Sequence, residues 1–435
     1  AMTRLVLRGA RWPGDVAIEG GRIAAVGEVP EEPGDQVLRG DGDIVTAGLV
    51  NTHHHFYQWM TRGWAFDQTL FGWLTTLYPV WAKLTPEDVE AAAAVAMGEL
   101  ALTGCTTAAD HHYLVPGGDD SVFDAIAAAA RTIGIRAHIA RGSMDLGQSK
   151  GGLPPDSVVE DLDAILASTQ SVHQRLHDGD RVVVTVAPCS PFSVTPELMT
   201  ASADLARRLG LRLHTHLAET LDEERGCLER FGRRPLRVLD EIGWIADDVW
   251  VAHGIHFDDA EVARLGQTGT GIAHCPSSNC RLGSGIARVV DLTAAGAPVG
   301  LGVDGVAGNE IGGLLPELRM ALFLARQRDL SSTTFQPADA LALATEGGAR
   351  CLGRDDIGRL EPGYRADLVV WPGDDLADVL DPLAGLVLGP ERRARHVLVS
   401  GDWVVRDGRL LGADMDALRR DLARRARRLW PEGAR

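Results

Sequence analysis

Apolar and polar positions follow two different rhythms along the chain. The first 50 residues carry short β-branched runs, LVLRGA, DVAIEGG and RIAAVGEV, broken by glycines and by the turn pair Gly20-Gly21. That texture predicts strands. Residues 366–371 (ADLVVW) and 396–405 (HVLVSGDWVV) repeat it near the other end, with Asp407-Gly408 as a further turn. Strands at both ends around a different middle predict one small β-sandwich composed of residues 1–47 and 358–410. Residues 411–435 contain DMDALRRDLARRARRLW, an arginine-rich helical segment. It is expected to pack on its own protein or a subunit, in preference to a membrane or an acidic partner.

The middle alternates apolar strands with helices. Thr85-Pro86-Glu87-Asp88 and Thr195-Pro196-Glu197 each have a threonine N-cap and a proline at the first helical position, so each opens a helix. Between the helices lie IVTAGLVNT, CTTAAD, RAHIARGS, RVVVTVAPC, LRLHTHLAE, DVWVAHG, GTGIAHC and PVGLGVDG. Eight β-α units over 48–357 predict an α/β fold, a (β/α)8 TIM barrel. A doubly wound sheet is the other arrangement of such units, but no glycine-rich nucleotide loop follows the first strand.

The polar residues are not scattered. The strands end in Asn51-Thr52-His53-His54-His55, Asp110-His111-His112, His214-Thr215-His216-Leu217-Ala218-Glu219, His253, His274 and Asp304, which places nine of the 14 histidines at strand ends. In a parallel barrel these ends converge on the mouth that carries active sites. Alternate residues of an extended segment share a face, so His53 and His55 point together. With further ligands from later strands they form a plausible borderline-metal site.

Composition then narrows the partners. The chain has 435 residues, 45% hydrophobic and 24% charged, with 43 basic against 60 acidic residues and a net charge of −17. Such a surface repels phosphate backbones and anionic lipid, so neither nucleic acid nor membrane is an expected partner. Six thinly spread cysteines are no disulfide scaffold. Without a leader pattern or a long apolar run, the expected location is the cytoplasm. Cys275 and Cys280 form a C-x4-C whose spacing does not suit the P-C-x-x-C zinc motif of the H-x-E deaminases.

GLVNTHHH (48–55), HTHLAE (214–219), VAHG (251–254), IAHCPSSN (272–279) and LGVDG (301–305) resemble the amidohydrolase superfamily, and most closely its cytosine, guanine and chlorohydrolase-type branch. IGRLEPGYRADLVVW (357–371) and VLVSGDWVVRDG (397–408) are similar to that branch's closing β-sandwich segments. The resemblance implies His53, His55, His216 and Asp304 as metal ligands, Glu219 as the proton-shuttling carboxylate, and His253 as the residue orienting water or substrate. Catalytic roles thus fall to Glu219, His253 and Asp304, with His274 in support. Other branches bridge two metals with a carboxylated lysine on strand four. The two lysines here, Lys83 and Lys150, lie elsewhere. One divalent metal is therefore expected; zinc suits three histidines and an aspartate, and iron also serves this branch.

The resemblance further implies deamination of an aminated N-heterocycle by activated water, with ammonia released. RGSMDLGQSKGGLPPDSVVE (141–160) and APCSPFSV (187–194) are similar to the group that includes 8-oxoguanine deaminases and related triazine hydrolases, which favours a purine-type base. Gln58, Arg141 and Cys189 are expected at the mouth as substrate contacts. GVAGNEIGG follows Asp304 where that group has a serine-rich stretch, so Val306, Gly308 and Glu310 bear on the choice of substrate. An acidic Glu310 suits an amino or N–H edge. The aromatic run 56–81 is expected as a lid that stacks on a planar ring, as a hydrophobic anchor or subunit contact, or both. The competing activities are release of chloride or alkylamine from a triazine, and a catalytically silent barrel used for assembly. The partners expected are a small heterocyclic substrate and further copies of the chain as a homo-oligomer.

Overall fold

The computed structural model describes residues 4–432. Eight strands close into a parallel barrel in sequential order: β1 (Leu49–Asn51), β2 (Cys105–His112), β3 (Arg136–Ser143), β4 (Val182–Pro188), β5 (Leu213–Leu217), β6 (Val249–His253), β7 (Gly271–His274) and β8 (Val299–Leu301), which pairs back with β1. Helices follow the strands, as the alternating rhythm predicts. The helix Pro86–Leu102 has the expected start, with Thr85 and Asp88 capping each other reciprocally. Thr195 likewise caps Pro196–Leu209. The alanine-rich face of the first of these helices lets it lie close against the barrel and its neighbour Ser121–Ile133.

Two sheets stand beside the barrel. One has four strands, ordered Arg22–Gly27, Asp15–Glu19, Leu5–Arg8 and Gln36–Arg39. The other has five, ordered Arg409–Leu410, Asp402–Arg406, His396–Val399, Leu368–Trp371 and Ile44–Ala47. The second sheet joins a strand from before the barrel to strands from after it. Val16, Ile18, Ile23, Val45, Leu368 and Leu398 bury their side chains in one core between these segments.

The arginine-rich helix, Met415–Arg427, packs on the protein's own helix Pro86–Leu102. Arg419 pairs with Glu99, and Arg425 and Arg428 both reach the buried carboxylate of Asp88. No helix among the described residues is long and apolar enough to cross a membrane.

Candidate metal and proton-transfer site

The strand-end histidines meet at the mouth. His53 and His55 follow β1, His216 lies on β5 and Asp304 just beyond β8, and all four are buried. Asp304 Oδ1 stands 3.3 Å from His53 Nε2 and 3.2 Å from His55 Nε2. His216 Nε2 stands 3.2 Å from His55 Nε2.

The tautomers follow from what lies behind each ring. His55 Nδ1 donates to the His111 carbonyl at 2.6 Å, and His216 Nδ1 to the Cys189 carbonyl at 2.6 Å. His214 Nδ1 donates to the Trp250 carbonyl at 2.8 Å, which leaves its Nε2 to accept from His53 Nδ1, also at 2.8 Å. The rings of His53, His55 and His216 therefore turn a bare Nε2 lone pair toward Asp304 and one another. The Nε2 of His53 is buried with no hydrogen-bond partner.

Lone pairs 3.2 Å apart beside a carboxylate repel unless a cation sits among them. Ligands 2.0–2.1 Å from a tetrahedral zinc stand about 3.3–3.4 Å from one another, so these residues fit such an ion. Burial holds His53 and His216 well below the ordinary histidine range, favouring the neutral rings a metal requires. Burial pushes Asp304 up, but the facing imidazoles of His53 and His55 outweigh it and hold the carboxyl well below its usual range.

Glu219 and His253 stand beside these residues. His253 Nδ1 donates to Asn279 Oδ1 at 2.9 Å, while its Nε2 lies 3.5 Å from Glu219 Oε2 and 3.9 Å from Asp304 Oδ2. Burial lowers His253, yet the facing carboxylates of Glu219 and Asp304 raise it overall. Glu219 is raised by burial. Ser278 Oγ donates to Asp304 Oδ2 at 2.6 Å, and the Gly305 amide to Oδ1 at 2.8 Å. Ala218, His253 and Asp304 hold φ angles of +53°, +74° and +62°. Each such non-glycine residue costs about 1–3 kcal/mol, and strain of this kind clusters where the surrounding fold fixes a functional geometry.

A cavity opens onto the site. His55, His216, Glu219, His253 and Asp304 form one side of it, and Leu70, Trp73, Leu74, Tyr78 and Phe192 form an apolar cover. The aromatic run thus lies over the mouth, as a turn (Phe56–Thr61) and a helix (Leu70–Trp81). Of its other aromatics, Phe56, Tyr57, Trp59 and Trp81 are packed core, Trp64 and Phe71 pack against it, and Phe66 is exposed.

Gln58 and Cys189 line the cavity. The Gln58 Oε1 is buried without a partner. Burial pushes the Cys189 thiol up to about 12, so it stays protonated.

Arg141 does not line the cavity. Its guanidinium binds Glu160 at 2.9 and 3.0 Å and Ser168 at 2.8 Å, and it lies over the Phe123 ring. The residue has the height of a strand end but the outward face. Glu310 is also turned away: it accepts from the Gly63 amide at 3.0 Å and from Arg281 at 2.9 Å. Val306 is buried in the core and Gly308 lies against Ser278. His274 is buried and outside the groups able to hold a metal.

Sequence reasoning gave no role to His214, Ser278, Asn279 or Glu223. His214 carried a readable signal, since it shares a strand face with His216. His111, at the end of its strand, lies close enough to His53, His55 and His216 to join them around an ion.

Residues 44–404 match the amidohydrolase family. The chain is 52% identical to an 8-oxoguanine deaminase of Pseudomonas aeruginosa, across 93% of this chain and 92% of that protein. It is 39% identical to a hydroxydechloroatrazine ethylaminohydrolase of a Pseudomonas species, covering 79% and 73% of the two chains. Among solved structures, an atrazine chlorohydrolase from Arthrobacter aurescens complexed with zinc superposes with a TM-score of 0.91 at 32% identity, over 97% of this chain and all of that one. The converging histidines, the closed barrel and these likenesses agree, and the chain belongs to the amidohydrolase family.

Proposed function

We propose that this chain is a zinc-dependent aminohydrolase, with one metal per chain, that deaminates a purine-type base, 8-oxoguanine first among them. The observation that carries the reading is Glu219. It is a buried carboxyl with a raised pKa, it lines the cavity, and it stands beside His253 and three histidine lone pairs that face a carboxylate. The 52% identity to an 8-oxoguanine deaminase supports the substrate. The tetrahedral spacing of the ligands and the zinc in a structural relative support the metal.

A zinc ion held by His53, His55, His216 and Asp304 would supply Lewis-acid activation of water. The chain's own residues do the rest. The apolar cover holds a planar ring against the polar wall and limits bulk water. Asp304, held ionised, takes a proton from the attacking water as its oxygen bonds to the ring carbon bearing the amine. Glu219 gives its proton to the adjacent ring nitrogen, which keeps the adduct from accumulating charge. The imidazole of His253, fixed by Asn279, lies against the oxygen side of the adduct. The proton taken by Asp304 then passes to the amine and the adduct's hydroxyl proton returns to Glu219 as the carbon–nitrogen bond breaks, so an amidine and water become a lactam and ammonia.

A second reading, release of chloride or alkylamine from a triazine, is favoured by the likeness to the triazine enzymes. Between those leaving groups Glu219 favours the amine, because an amine needs a proton to depart and chloride does not. Ammonia release across guanine, 8-oxoguanine, isocytosine, pterins and aminotriazines tests the proposal. The highest kcat/KM is expected on 8-oxoguanine; no ammonia from any of them would overturn it.

A further inference from the structure

The geometry points to Glu223 as a positioning residue that sets Glu219 against His253; this rests on the reading of Glu219 as the proton carrier. Glu223 is the third residue of the helix Leu221–Phe231, whose N-cap Thr220 accepts from the Glu223 amide at 3.2 Å. A glutamate in that position ordinarily reaches back to the amide of the N-cap itself. Here it passes the cap. Its Oε1 accepts from the Ala218 amide at 3.0 Å and its Oε2 from the Glu219 amide at 2.8 Å.

Those two amides flank the strained step of the site. Ala218 is left-handed at φ +53°, and its conformation decides where Glu219 points. The same peptide units are held from the opposite side. The Leu217 carbonyl accepts from Gly254 at 3.0 Å, and the Ala218 carbonyl accepts from Ile255 at 3.0 Å and His256 at 3.1 Å. These amides begin immediately after His253, itself left-handed at φ +74°. The carboxylate of Glu223 thus clamps a backbone junction between the Glu219 turn and the His253 turn, whose side chains meet at 3.5 Å.

The clamp has a chemical requirement. Two converging N–H donors need two acceptor oxygens, and only a carboxylate of this length supplies both. Glu223 is 1% exposed and does not line the cavity. Burial pushes its pKa up to about 7, against the two amides, which favour the carboxylate.

The test compares Glu223→Gln, Glu223→Asp and Glu219→Gln with wild type for kcat, KM, bound metal and melting temperature. Glutamine offers a donor where an acceptor is needed. Aspartate keeps the charge but reaches at most one amide. Expected for Glu223→Gln is a kcat lower by roughly 10- to 100-fold, the range seen when a group that orients a catalytic residue is removed, with KM within about threefold and one metal retained. Glu223→Asp should fall between it and wild type. Wild-type kcat in both Glu223 variants would overturn the inference while leaving Glu219 untouched. So would a loss that merely follows loss of metal or of folded protein, including failure of both variants to fold. Full activity in Glu219→Gln would instead remove the proposed role of Glu219.

Discussion

The two ends of the barrel handle charge in opposite ways. At the floor, Arg136 is fully buried, yet its guanidinium is spent on Asp367, Asp180 and Thr107. Arg354 and Arg365 share Asp180 and Asp356, and the Ser400 amide caps Asp367 at 2.8 Å. This network ties the starts of β3 and β4 to residues 354–400. At the mouth, histidines and carboxylates converge with the His53 Nε2 lone pair unspent, His253 and Asp304 on left-handed backbone, and no arginine or lysine among the described residues lines the cavity. Paired charge stabilises the scaffold. Charge left for a metal and a substrate makes the mouth reactive.

That contrast breaks most sharply at Glu219. Glu219→Gln should lower kcat by roughly 10²–10⁴-fold, the usual worth of a positioned acid–base group, while metal analysis still finds one ion per chain. Next come the groups behind the ligands. His214→Ala removes the partner that fixes the His53 tautomer, so metal affinity measured by chelator competition should fall about 10- to 100-fold.

At the floor the order of effects reverses. Asp367→Asn removes the buried carboxylate beside Arg136 and leaves it only the part-exposed Asp180, which should cost up to about 3–5 kcal/mol of stability. Calorimetry should show the lower melting temperature, while the folded, metal-loaded enzyme at low temperature keeps its kcat. A floor substitution that lowered kcat first would erase the distinction between the two ends.

Asp356 gives the smaller, pH-dependent effect. Burial raises its pKa, but the guanidinium groups of Arg354 and Arg365 outweigh that and hold it well below the usual carboxylate range. A depressed carboxyl stabilises the fold above its unfolded pKa of about 3.9 and loses that contribution as pH falls toward the folded value. Asp356→Asn should therefore narrow the gap in melting temperature between pH 5 and pH 3, relative to wild type. The smallest change belongs to the surface. Arg233→Ala breaks an exposed pair with Glu241 and should shift stability by under about 1 kcal/mol.

The readable part of the site and the unreadable part differ for a physical reason. His53, His55, His216, Glu219, His253 and Asp304 announce themselves because a polar residue ending an apolar strand is local information, and a parallel barrel brings all such ends to one mouth. Arg141 shows the limit. Its place in the chain gives its height along β3, but the face of a strand depends on pairing register and on what packs outside, here Glu160, Ser168 and Phe123. Glu310 fails the same way, because its partners Gly63 and Arg281 come from segments far away in sequence. Glu223 was hidden by its ordinary setting at the start of a helix.

The sequence by itself determined the eight-unit barrel, the strands at both ends and the gathering of histidines and acids at the strand ends, since strand and helix periods and strand-end residues are properties of short stretches. The tertiary structure decided the ring tautomers, the φ angles of Ala218, His253 and Asp304, and which buried carboxyl group lines the cavity and which binds backbone amides. Those depend on which backbone carbonyls and amides stand behind each side chain, and only closure of the barrel brings them there.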